Sequence, residues 1–116
     1  MNRRHLNTLC LLAVLGLPSA GLAADPPNPL RVLSFNIRYA NSSDKEGRSW
    51  TVRRDLAAQL IKEDQPDLIG YQEALRPMLD ELGRKVPGYE EIGVGREDGK
   101  TKGEYSALWI RKERFT

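Results

Sequence analysis

The chain has 116 residues with 18 basic and 16 acidic side chains, one cysteine and one histidine, for a formal net charge of +2. The cysteine is Cys10 and the histidine is His5, so nothing beyond residue 10 can build a disulfide framework or supply an imidazole. The near-balanced charge excludes the strong basic surplus that marks a non-specific nucleic-acid binder.

Arg3 and Arg4 form a charged start, and residues 6–17 make an apolar core interrupted by Asn7, Thr8 and Gly16. Pro18-Ser19-Ala20-Gly21-Leu22-Ala23-Ala24 follows with small residues suited to cleavage. That order is the layout of a secretory signal peptide, expected over residues 1–24, and it implies a secreted or periplasmic protein. A membrane anchor is the alternative, but the apolar stretch falls short of the roughly 20 residues a spanning helix needs. Cys10 has no small residues just before it, which argues against a lipoprotein site. Removing the leader takes away Arg3 and Arg4 and leaves sixteen charges of each sign, so no strong basic patch for nucleic acid is expected.

Residues 25–29, Asp-Pro-Pro-Asn-Pro, read as a stiff polar lead-in and a boundary, with one domain expected over 30–116. Leu30 to Ile37 reads as a strand, with Leu33, Phe35 and Ile37 on one face and Val32, Ser34 and Asn36 on the other. Residues 38–49 are polar and read as a loop. From Thr51 to Asp64, the residues Val52, Leu56, Ala57, Leu60 and Ile61 recur at helical spacing, and Pro66 stops that helix. Asp67 to Gln72 is apolar through its middle, as in a strand covered on both faces.

A second helix is expected over Leu75 to Val86, with Leu75, Met78, Leu79 and Leu82 inward, and Pro87-Gly88 as the following turn. Tyr89 to Val94 reads as a strand, Asp98-Gly99 as a hairpin signal, and Tyr105 to Ile110 as the returning antiparallel strand. The predicted order is β-α-β-α-β-β. Arg111 to Arg114 reads as a turn after which a further apolar segment begins, an arrangement expected of an incomplete domain. Two phosphate-binding patterns fail. Gly99-Lys100-Thr101 resembles the end of a P-loop, but the earlier glycine falls at Val94 and no helix follows. Gly93-Val94-Gly95 lacks the third glycine of a dinucleotide fingerprint.

The chemically informative stretch is Pro66-Asp67-Leu68-Ile69-Gly70-Tyr71-Gln72-Glu73, an apolar strand ending in an amide and a carboxylate. Hard divalent cations take oxygen ligands, commonly one or two carboxylates with waters, and Glu73 at a strand end suits that task. The competing reading has Glu73 exposed at the start of the next helix, where it favours the dipole. Asn36 lies inside an apolar strand and needs a polar partner if buried; it could serve a loop, Glu73 or a phosphate oxygen. Arg96 and Tyr105 flank predicted loops and are candidate substrate contacts, since an arginine can grip phosphate with two hydrogen bonds. Their alternatives are a surface arginine and a packing tyrosine.

Ser34-Phe35-Asn36-Ile37-Arg38 resembles the first signature motif of the endonuclease/exonuclease/phosphatase superfamily, and Pro66 to Glu73 resembles the second. Trp50 and Arg53-Arg54 match the start of that family's first helix. Gly93 to Gly99 and Gly103-Glu104-Tyr105-Ser106-Ala107 resemble segments of a secreted bacterial branch. The resemblance implies an α/β fold, of which this chain would form the N-terminal half of a two-sheet sandwich flanked by helices. It implies a divalent-metal-dependent phosphoesterase using Mg2+ or Mn2+, with Glu73 and Asn36 in the metal site. The family's histidine-aspartate pair, Gly-Asp-x-Asn motif and Ser-Asp-His motif have no counterpart here, so no catalytic residue is assigned in this chain. An N-terminal fragment, inactive alone, is the expectation; a non-catalytic secreted binding or scaffold domain and half of a two-chain enzyme are the alternatives. The phosphate ester itself stays open among nucleic acids, sugar phosphates, inositol phosphates and lipid head groups.

Overall fold

A computed structural model describes residues 28–115, so the expected signal peptide and most of the proline-rich lead-in lie outside the described residues. Their elements follow the predicted order: β1 (Val32–Asn36), α1 (Trp50–Asp64), β2 (Leu68–Gln72), α2 (Arg76–Lys85), β3 (Tyr89–Ile92) and β4 (Leu108–Arg111), ending in a short 3-10 turn over Lys112–Arg114. The strands form one mixed sheet in the spatial order β1-β2-β4-β3. β1 and β2 run parallel, with Val32 opposite Leu68 and Asn36 opposite Gln72, while β4 is antiparallel to both β2 and β3. The chain is thus α/β, with both helices on one face of the sheet.

That face carries the core. Ile69, Tyr71 and Trp109 from the sheet, with Ala107 just before β4, meet Ala57, Ala58 and Ile61 of α1 and Met78, Leu79 and Leu82 of α2. Tyr71 and Trp109 pack edge to face with centroids 5.0 Å apart, and Tyr89 adds a tilted contact to Trp109 at 5.7 Å. α1 stops where Gln65 enters the left-handed region at φ 47° and donates its N–H to the Ile61 carbonyl, and the following Pro66 keeps Gln65 from continuing the helix. α2 accepts Pro77 in its first turn, where no intrahelical N–H partner is needed.

Three expectations change. Ala57 and Ile61 of α1 are buried, but Val52, Leu56 and Leu60 are exposed, because small Ala57 and Ala58 bring the helix against the sheet along a narrower stripe. β3 ends at Ile92 and β4 begins only at Leu108, so Asp98-Gly99 is not a tight hairpin. It lies within a compact connection in which the Asp98 carboxylate accepts the N–H groups of Lys100 and Lys102. Third, β2 is not buried on both faces: Leu68 and Gln72 are only half covered.

The uncovered sheet face is apolar at several positions. Val32 is 64% exposed and Ile92 54%, with Leu108 paired beside Ile92, and β1 is an edge strand among the described residues. An apolar face ending in an unpaired edge templates association. Val32→Lys should therefore reduce concentration-dependent self-association in sedimentation velocity without lowering the melting temperature; unchanged association would show that this edge is not sticky.

Beneath α2, the Arg76 guanidinium pairs with the Glu91 carboxylate through two nitrogens and with Asp80 at 2.9 Å, and it lies over the Tyr105 ring at 5.2 Å. Trp109 Nε1 donates to the same Glu91 at 2.9 Å. Burial pushes the Glu91 carboxyl up, but the Arg76 and Trp109 hydrogen bonds and the Arg76 charge outweigh it and hold it below the usual carboxylate range. A depressed folded-state value means the unfolded chain binds the proton more readily, so this stabilisation is present above the unfolded value and is lost as pH falls through the folded one. The Tm gap between the wild type and Glu91→Gln should accordingly shrink as pH is lowered from about 6 to about 3, through the carboxylate range. A constant gap would contradict the assignment.

Candidate functional site

The parallel register places the ends of β1 and β2 side by side. Asn36 and Gln72 are directly opposite, and the Ile37 N–H reaches across to the Gln72 carbonyl at 3.1 Å. If β2 continued as a strand, residue 73 would point to the Tyr71 side, toward the helices. It does not, because Glu73 adopts a left-handed backbone with φ 57°. Its carboxylate instead meets the neighbouring strand end, where Asn36 Nδ2 donates to Glu73 Oε1 at 2.9 Å.

The opposite side of the pair is built the same way. Arg38 follows Ile37 in the left-handed region, at φ 50°. Its N–H donates to Asn36 Oδ1 at 2.8 Å, which commits the amide oxygen and leaves the Nδ2 group to serve Glu73. The next N–H, of Tyr39, lies 3.4 Å from Glu73 Oε2. The Asn36 hydrogen bond holds the Glu73 carboxyl below the usual carboxylate range; partial burial opposes it, and the Tyr39 N–H and the Arg38 and Arg53 charges assist. Glu73 is therefore anionic at neutral pH, and it is partly exposed with lone pairs to spare.

This answers the dipole alternative for Glu73. α2 begins only at Arg76 with Leu75 as its N-cap and no side-chain capping bond, while the Glu73 carboxylate turns toward Asn36. Arg96 and Tyr105 separate from each other. Arg96 projects into solvent from the β3–β4 connection and pairs with Glu104 at 3.1 Å. Tyr105 is not at an exposed rim: its ring is 3% exposed and its hydroxyl donates to the Lys100 carbonyl at 2.8 Å. The side chain packs, and what reaches the site is its backbone, whose N–H donates at 2.7 Å to Ala74, the residue after Glu73.

Sequence reasoning assigned no role to Asp44 or to the side chains of Arg38 and Arg53, which stand around the pair. Asp44 accepts from Arg38 at 2.6 Å and lies 3.4 Å from Arg53. The Arg38 hydrogen bond holds the Asp44 carboxyl low, against burial and with help from both arginine charges. The available signal was an arginine one helical turn after Trp50, close behind a polar loop.

The donor chemistry fits a hard cation. Glu73 offers carboxylate oxygens, the donor type such a cation takes. No group of three or more His, Cys, Asp or Glu residues that could hold a metal exists among the described residues. What they provide is one carboxylate with an orienting amide. A groove of about 510 Å3 lined by Lys62, Gln65, Tyr89 and Arg111 lies at the other end of β2, whereas one of about 570 Å3 is lined by Arg38, Asp44 and Arg53 beside the site.

A left-handed backbone at a residue with a side chain costs on the order of 1–2 kcal/mol. Glu73→Gly and Glu73→Ala delete the same carboxylate, but only glycine is relaxed at this φ. The glycine variant should be the more stable by about 1 kcal/mol in urea unfolding. Equal stabilities would remove strain from the description of this site.

No protein-family model and no curated protein matches the chain. Solved structures do. A protein of Bacteroides vulgatus described as an endonuclease/exonuclease/phosphatase is 44% identical over 72% of this chain and 32% of its own, with a TM-score of 0.69. A mannosyl-6-phosphatase of Bacteroides thetaiotaomicron is 42% identical over 73% of this chain and 32% of its own, with a TM-score of 0.70. A second protein of that organism, described as an endonuclease/exonuclease/phosphatase family protein, is 42% identical over 72% of this chain and 30% of its own. The chain thus spans about a third of the length of the solved structures it matches. A humanized zebrafish TDP2 at 17% identity and a TM-score of 0.56 shares the fold alone. By identity and fold together, the chain belongs to the endonuclease/exonuclease/phosphatase family.

Proposed function

We propose that this chain supplies one wall of a divalent-metal-dependent phosphoesterase site, with Glu73 as the metal-binding carboxylate and Asn36 as the residue that orients it. The observation that carries this reading is the Asn36–Glu73 hydrogen bond at 2.9 Å between two strand ends, with Glu73 itself and Arg38, two residues after Asn36, in the left-handed region. Non-glycine residues in that conformation persist only where their surroundings hold them, and such places cluster at functional sites. The 42% identity to a mannosyl-6-phosphatase supports phosphoric ester hydrolysis as the activity of the whole protein and makes a sugar phosphate the first substrate class to test.

A bound Mg2+ or Mn2+ would supply charge neutralisation at the phosphate oxygens. The chain's own residues do the rest of what is proposed here. Glu73 holds its charge at neutral pH because Asn36 and the Tyr39 N–H point hydrogens at it. Arg38 stands beside it, partly engaged by Asp44, and keeps the site's field from being wholly negative. No histidine occurs after His5, so no imidazole among the described residues is available to move a proton to or from water or a leaving group. The 116 residues alone are accordingly proposed to bind the metal weakly and to be catalytically silent.

Two measurements test this. Mn2+ binding counted by electron paramagnetic resonance should reveal a weak site that Glu73→Gln removes. Hydrolysis of mannose 6-phosphate and of bis(p-nitrophenyl) phosphate should show no chelator-sensitive turnover by this chain. Mn2+ uptake indifferent to Glu73→Gln would refute the metal role, and chelator-sensitive turnover would refute the silence.

A further inference from the structure

We infer that Arg53 is the positioning residue of this site: its guanidinium, reaching back from the first turn of α1, gathers the carbonyls that follow β1 and so aims Asn36 and the Tyr39 N–H at Glu73. The inference rests on the metal-binding reading of Glu73 proposed above.

The hydrogen bonds converge on one group. Arg53 Nε donates to the Arg48 carbonyl at 2.7 Å. Nη1 donates to the Ile37 carbonyl and, at 2.8 Å, to the Arg38 carbonyl. Nη2 lies 3.5 Å from the Tyr39 carbonyl and 3.4 Å from Asp44 Oδ2. A guanidinium has five N–H donors in a fixed plane, and these acceptors use its three nitrogens. Little is left for a phosphate, so Arg53 is not argued to touch substrate. The Trp50 ring lies 5.7 Å from it and is itself held to Glu81 at 2.9 Å.

Three successive carbonyls, of residues 37, 38 and 39, cannot face one point along an extended strand, where they alternate. They converge because Arg38 is left-handed, a conformation that costs on the order of 1–2 kcal/mol. Charge-assisted hydrogen bonds from a guanidinium are strong enough to offset that. The same kink turns two N–H groups the other way: Arg38 N–H onto Asn36 Oδ1 and Tyr39 N–H toward Glu73 Oε2. One side of the kink is thus the Arg53 fan and the other is the orienting contacts of the carboxylate. A lysine cannot replace the fan, because one ammonium cannot reach acceptors spread over such a plane.

The test is a Mn2+ titration of the 15N-labelled full chain, read by paramagnetic broadening of individual resonances. In the wild type the Asn36 side-chain amide and the Tyr39 and Ala74 backbone amides should broaden first, and Glu73→Gln should abolish that selectivity. In Arg53→Gln and Arg53→Lys the broadening midpoint should rise about tenfold or more, as for residues that orient a ligand, while the Ile69 amide and Trp109 indole resonances stay in place. A wild-type midpoint in either Arg53 variant overturns the inference while leaving the metal reading intact. Loss of the Ile69 and Trp109 resonances in both variants also overturns it, since Arg53 would then hold the fold and not the site. Absence of localised broadening in the wild type sinks the metal reading and the inference with it.

Discussion

The parallel pairing of β1 with β2 is the constraint on which the site depends. These strands are 36 residues apart in register, and their ends would not meet without α1 returning the chain alongside. Once Asn36 stands opposite Gln72, the next residue of each strand is at the sheet's rim, and two left-handed turns point the polar groups at each other. Asp67 secures the other end of the same pair: 5% exposed, it accepts the Arg31 N–H at 2.9 Å, and its own N–H returns to the Arg31 carbonyl at 2.8 Å. A slip of one residue would put Asn36 on the wrong face and separate it from Glu73.

The two faces of the sheet do different work. The helix-covered face holds Tyr71, Ile69 and Trp109 and carries the packing. The other face presents Ser34, Asn36 and Gln72 at the site end and Val32, Leu108 and Ile92 elsewhere. The site therefore lies at the junction of a rigid core and an uncovered surface, which is where a carboxylate can be both fixed and reachable. The contacts made there are hydrogen bonds, those of Asn36, Tyr39 and Arg53 among them.

Much of this was legible in the residues. Alternation in Leu33-Ser34-Phe35-Asn36-Ile37 assigned each side chain to its correct face, and helical spacing located Met78, Leu79 and Leu82 in the core. Asn36 and Glu73 emerged as a pair because polar groups at the ends of apolar strands ask for partners. The backbone of Glu73 and Arg38 was not legible, since neither residue type favours positive φ; the conformation is imposed by long-range hydrogen bonds. Tyr105 was misjudged for a related reason. It stands at the junction of a predicted loop and a predicted strand, and the backbone bridge to Ala74 draws the ring inward. The fan of Arg53 depends on where α1 packs, which periodicity alone does not fix.

The central claim is that Glu73, set by Asn36, is a prepared metal ligand and not an incidental surface charge. A crystal of this chain soaked in Mn2+ and measured for anomalous scattering tests it most directly. The account predicts an anomalous peak within about 2.0–2.3 Å of a Glu73 carboxylate oxygen, with Asn36 still hydrogen-bonded to that carboxylate. A well-occupied peak elsewhere on the chain, with none at Glu73, would contradict it.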